Sequence, residues 1–188
     1  TYGWTIDFYL GRASLRALLG EPMKTALTCW IAFGLLLSAP AHALTVVCTL
    51  PWLCDVAANI APDSKRVVLV RGGQDPHFLS PTPALMAKVA DADLYIENGL
   101  DLEAWTTRLL DGAGNPAIRP GKPGFVSASE GIVRLEIPED VSRSQGHVHP
   151  EGNPHIWLDP LNVTTVATNI AAGLSRVDSS RAEVYQNN

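Results

Sequence analysis

Short apolar runs alternate with helix-patterned segments along most of this chain, and that alternation limits the fold more than any other feature. Residues 44–50 (LTVVCTL) and 67–70 (VVLV) are continuously apolar or β-branched, as is 94–97 (LYIE) up to its final glutamate, in the manner of strands buried on both faces. Between them lie helix signals. Pro51 suits the first position of a helix whose apolar stripe reads Trp52, Val56, Ile60. Thr82-Pro83 reads as an N-cap followed by proline, with Leu85, Met86 and Val89 facing the core. After an Asn98-Gly99 turn, Asp101 is expected to cap a helix with Leu102, Trp105 and Leu109 on one side. Residues 125–128 and 132–137 read as two more strands, and 138–154 as a loose polar segment. Asp159-Pro160 then starts a long helix carrying Val163, Val166, Ile170 and Leu174, and Asp178 or Ser179 is placed to cap a further one. Strands alternating with helices predict an α/β unit with a mostly parallel sheet, whose ligands gather in the loops beyond the C-terminal strand ends.

The 188 residues suffice for one domain with a sizeable core. The net charge of -5 lacks the basic excess that phosphate binding needs, which argues against nucleic acid as a partner. The only methionines are Met23 and Met86. Residues 1–22 are read as sequence upstream of the true start. From Met23 the chain has the form of a secretory signal. Lys24 is the charged head, residues 26–37 are apolar, and Ala41-His42-Ala43 is the cleavage site. The apolar run is shorter than the roughly 20 residues of a membrane span. A periplasmic protein, exported through a cleaved signal over 23–43, is therefore expected, without a lipid anchor. Cys48 and Cys54 remain after cleavage. An oxidising compartment permits their disulfide, and two small buried thiols are the other reading.

Four histidines follow the signal, all in expected loops: His77, His147, His149 and His155. His77 ends Asp75-Pro76-His77, and His155 ends Asn153-Pro154-His155. A proline before each stiffens the backbone beside the ring. A stiff loop that presents neutral imidazole at the open end of a sheet suits a transition-metal ligand. On spacing alone a solvated loop histidine is the competing reading, because His77 and His155 match no local zinc motif. His147-Val148-His149 is an accessory pair that could hold a metal loosely.

The stretches Gly73-Gln74-Asp75-Pro76-His77, Ser80-Pro81-Thr82-Pro83 and residues 90–105 (ADADLYIENGLDLEAW) resemble the zinc- and manganese-binding solute-binding proteins of bacterial ABC importers. Residues 153–160 (NPHIWLDP) resemble that family's second ligand loop. The resemblance implies two α/β lobes joined by a long helix, with residues 44–178 as the N-terminal, metal-binding lobe. Residues 179–188 would begin the joining helix, and the second lobe would be absent. It implies His77 and His155 as this lobe's ligands, with His149 and His147 accessory. The cargo would be zinc, on the nitrogen-rich donor set, with manganese the alternative. The partner would be the importer's permease in the inner membrane, and a monomer without catalysis is expected. Two rivals stand beside this reading. An exported metal-dependent hydrolase would need an open zinc position and a carboxylate base. Asp75, Glu151 and Asp159 are near the histidines in sequence but read equally as turn or cap residues. A surface adhesion module would bind metal only incidentally.

Overall fold

The computed structural model describes residues 43–138 and 149–188. The segments read as upstream sequence and signal lie outside the described residues, as does His147; of the signal only Ala43 is described. Four strands, β1 Thr45–Cys48, β2 Lys65–Val68, β3 Leu94–Glu97 and β4 Phe125–Ser127, form one sheet in the order β2-β1-β3-β4. All three pairings are parallel, with Cys48 opposite Val68 on one side and Ile96 on the other. The helices are α1 Pro51–Ile60, α2 Pro83–Ala90, α3 Thr106–Ala113, α4 Asn162–Val177 and α5 Ala182–Asn187. Helices α1, α4 and α5 pack together, and α2 packs with α3. Right-handed crossovers put these two groups on opposite faces, because the chain crosses from β2 over β1 to β3.

The central strands account for the core. Val46, Val47 and Cys48 of β1, and Leu94, Tyr95 and Ile96 of β3, are fully buried. Covered on both faces, they cannot carry the polar alternation of a half-exposed sheet. The edge strand β2 sits two residues earlier than the 67–70 run suggests. Lys65 and Arg66 pair with Thr45 and Val46 at the exposed edge, while Leu69 and Val70 continue, buried, past the strand end.

Three other sequence expectations are corrected. In α1 the innermost residues are Leu53, Cys54, Ala57 and Ile60, and Trp52 and Val56 are half-buried. The small Cys54 and Ala57 let the helix lie close to the sheet. Asp101 is not a cap. Its φ of 59° lies in the left-handed region, and regular helix begins only at Thr106. Finally, residues 132–137 join no strand; Val133, Leu135 and Ile137 are all exposed. Among the described residues their one backbone bond to a distant segment is Asn153 N to Leu135 O at 2.8 Å, which does not make a ladder.

Helix α4 buries Val166, Ile170, Gly173 and Leu174, close to the expected stripe. Gly173 is required there, because a Cβ would collide with Val126 of β4. Thr82 caps α2 as expected, accepting a hydrogen bond from Leu85 N. The open cysteine question is settled by a Cys48–Cys54 disulfide with Cα atoms 5.6 Å apart, tying the end of β1 to the first turn of α1. A loop this short should contribute about 2 kcal/mol by restricting the unfolded chain. Cys48→Ala/Cys54→Ala is expected to lose about that much in urea unfolding, with the sheet's far-UV signal intact.

Candidate metal site

The loops beyond the C-terminal ends of the strands carry the site, where an open parallel sheet places ligands. After β2 the chain runs through Gly73, at φ 80°, into a 3-10 turn over Pro76–Phe78 that holds His77. After β4 it returns through the 3-10 turn Ile156–Leu158, whose N-terminal neighbour is His155.

The two loops share one local construction. Asp75 Oδ1 accepts from the His77 backbone N–H at 2.9 Å and lies 2.6 Å from His77 Nδ1. Asn153 Oδ1 accepts from the His155 backbone N–H at 3.0 Å and lies 2.7 Å from His155 Nδ1. An ionised carboxylate or an amide oxygen can only accept, so Nδ1 carries the proton in both rings. The amide orientation of Asn153 is supported by its Nδ2, which donates to Glu136 Oε2 at 2.8 Å. Both imidazoles are thereby set in the tautomer whose Nε2 lone pair can take a metal. Proline between the polar residue and the histidine keeps φ near the value this turn needs.

His149 joins them. Its Nε2 lies 3.1 Å from His77 Nε2. Two nitrogens on one tetrahedral zinc are separated by about 3.3 Å, from bonds of about 2.05 Å. The three ring centroids lie 5.0, 5.8 and 6.1 Å apart. Rings sharing one ion would sit roughly 5 Å apart, so the gathering is slightly loose. Among the described residues, no set of three or more His, Cys, Asp or Glu side chains is already arranged to hold an ion. His155 also packs edge-on against Trp157, with centroids 5.2 Å apart, and lines a groove with Leu135, Ile156 and Leu158.

Sequence reasoning singled out three of these rings but missed what supports them. Asp75 was readable only as a turn residue and Asn153 only as part of a motif. The Asx-Pro-His pattern, occurring twice, was the available signal. Glu103 gave none. Its carboxylate is buried beneath the turn 98–101, where Oε1 accepts from Asn98 N at 2.8 Å and Thr49 Oγ1 at 2.5 Å. Oε2 accepts from Gly99 N at 3.2 Å. Burial raises its pKa and these donors oppose the rise. The expected Asn98-Gly99 turn is present, with Gly99 at φ 86° facing Ser127 and Ser129 so closely that no Cβ fits. Of the carboxylates that a hydrolase would use, Glu151 pairs with Arg134 at 3.4 Å and Asp159 Oδ1 accepts from Leu161 N. Both therefore have structural duties.

The described residues thus form a parallel-sheet lobe with two Asx-Pro-His loops at the C-terminal edge of its sheet. The model of the family described as zinc-uptake complex component A, periplasmic, matches residues 46–188, and the chain belongs to that family. It is a family of transporter substrate-binding proteins and not of enzymes. The metal ABC transporter substrate-binding lipoprotein of Streptococcus cristatus is 34% identical over 151 residues, covering 77% of this chain and 45% of the relative. The iron-binding protein YfeA of Yersinia pestis is 32% identical, covering 80% and 45%. Among solved structures, the manganese-bound periplasmic metal-binding protein of Candidatus Liberibacter asiaticus superposes with a TM-score of 0.60 at 29% identity, covering 77% of this chain and 49% of that one. A ZnuA crystal structure does so at 0.64 and 28%, covering 78% and 51%, in a zinc-bound deletion mutant. The chain spans about half the length of these relatives.

Glu97, at the end of β3, lines a polar cavity of about 410 Å³ on the same edge, with Asp101, Glu130 and Glu151. Burial, and then the charge of Glu103, push its pKa from an ordinary 4.5 to about 8. A carboxyl that holds its proton more tightly when folded makes stability fall as pH rises from about 4.5 to about 8. Glu97→Gln should therefore raise the melting temperature at pH 8 and not at pH 4.5, flattening the pH profile measured by thermal denaturation.

Proposed function

We propose that this chain forms the N-terminal, metal-receiving lobe of the periplasmic substrate-binding component of a divalent-metal ABC importer. Its cargo is zinc, with manganese the alternative. His77 and His155 are the ligands contributed by this lobe, and His149 is an accessory donor. The observation that carries the reading is the convergence of three imidazoles at one sheet edge, two of them held through Nδ1 so that Nε2 faces away from the holding residue, with the Nε2 atoms of His77 and His149 in contact at 3.1 Å. Nitrogen donors favour zinc over manganese. A tetrahedral ion takes about four donors, so His77 and His155 leave positions for His149 and for groups beyond this lobe. The ion would be enclosed there and passed to the permease in the inner membrane. The manganese and iron named for several relatives keep the alternative metal in view.

The test is zinc affinity of the full-length protein, measured by chelator competition. Structural zinc sites are worth roughly 10–16 kcal/mol over about four donors, or on the order of 100-fold in affinity for each. His77→Ala and His155→Ala should each lose about that much, and His149→Ala less. Full affinity in both of the first two variants would end the proposal. Because imidazole must be neutral to bind, wild-type affinity should also drop between about pH 7.5 and about pH 5.5.

A further inference from the structure

We propose that Asn98 and Trp105 are positioning residues that set the separation of the two ligand loops by holding the proline carbonyl in front of each histidine. This rests on the metal-site reading above. Asn98 Nδ2 donates to Pro154 O at 2.9 Å, and Trp105 Nε1 donates to Pro76 O at 2.7 Å. Each acceptor belongs to the peptide unit that joins proline to ligand histidine. The other polar group of that unit, the histidine N–H, is already taken by Asp75 or Asn153. Both Pro-His peptide planes are thus pinned at both polar groups: the loops hold the N–H sides, Trp105 holds Pro76 O, and Pro154 O accepts from Asn98 Nδ2 as well as from Ile156 N of its own loop at 2.8 Å. The outside donors come from a single stretch, 98–105, although the two histidines are 78 positions apart in sequence.

That stretch is anchored independently of the loops. Glu103 receives Asn98 N, Gly99 N and Thr49 Oγ1, which fixes the backbone from which the Asn98 side chain projects. Trp105 sits directly before α3 and is almost fully buried. Asn98 is fully buried, yet its Oδ1 has no hydrogen-bond partner among the described residues. An unpartnered buried amide oxygen is costly, and an apolar side chain would avoid it. What asparagine gains at this position is the pair of donors from Nδ2, one to Gly99 O at 3.1 Å and one to Pro154 O. The bond to Gly99 is local to the turn, so the bond to Pro154 is the one that reaches the site.

Groups that orient metal ligands typically change affinity by about 10–100-fold when removed. In the full-length protein, Trp105→Phe removes the N–H and keeps most of the ring, and Asn98→Leu removes both donors at similar volume. Zinc affinity by chelator competition, the visible spectrum of the Co²⁺-loaded protein, and the melting temperature of the metal-free protein are measured for each. Ile170→Val, in the core of α4, serves as a control that lowers stability away from the loops. The expected result is zinc binding weakened by about 10–100-fold, with an altered Co²⁺ spectrum, in whichever donor variants fold, and neither change in the control. Wild-type affinity and spectrum in a folded donor variant would overturn the positioning role. Absence of zinc and Co²⁺ binding by the wild type, or intact binding by His77→Ala, would instead overturn the metal reading itself.

Discussion

A carboxylate removed from water must be met by donors, and Glu103 meets three. Two are backbone N–H groups of its own turn, at Asn98 and Gly99, and the third is the Thr49 hydroxyl at the end of β1. This bond set makes a rigid object out of a turn that would otherwise be strained. Leu100 and Asp101 both sit at positive φ, which costs roughly 1–3 kcal/mol for residues other than glycine. The turn persists because the buried carboxylate closes it from beneath. Glu103 also lines the adjoining cavity, and Asn98, whose backbone it holds, reaches the loop of His155 through Pro154 O.

The loops achieve order by a second, local device. Proline limits φ, and the polar side chain before it folds over the next peptide to take the histidine N–H and Nδ1 together. The two copies differ in charge. Asp75 places a carboxylate behind His77, whereas Asn153 places a neutral amide behind His155. A carboxylate partner makes an imidazole the stronger donor to a metal. The lobe therefore presents two similar imidazoles with partners of unequal charge, with His149 approaching His77 from the side.

Much of the fold was legible because buried parallel strands and capped helices write themselves into short stretches of chain. The run 94–97 coincides with β3, Thr82-Pro83 starts α2 as read, and the α4 stripe is close to the buried set. The failures have physical causes. The 132–137 alternation has the period of a strand, but among the described residues it forms no ladder and has only one backbone bond to a distant segment, from Asn153 N to Leu135 O. The α1 stripe is rotated because close packing on the sheet prefers Cys54 and Ala57 to the bulkier Trp52 and Val56. Asp101 has a capping residue's chemistry but the wrong backbone, since φ there is imposed by the turn that Glu103 closes.

The sequence by itself determined what can be decided over a few neighbouring residues. These are the α/β alternation and the stiff Pro-His loops, with the imidazoles as candidate ligands only. Family resemblance joined the two loops into one expectation, which their spacing could not do. Only the tertiary structure decided that His149 lies against His77, that Glu103 is a buried structural carboxylate, and that Asn98 and Trp105 reach the carbonyls in front of His155 and His77. Those contacts span 29 to 72 positions. Contacts of that range arise when the parallel sheet brings every strand's C-terminal end to one edge. No local pattern of residue types encodes which side chains will then meet.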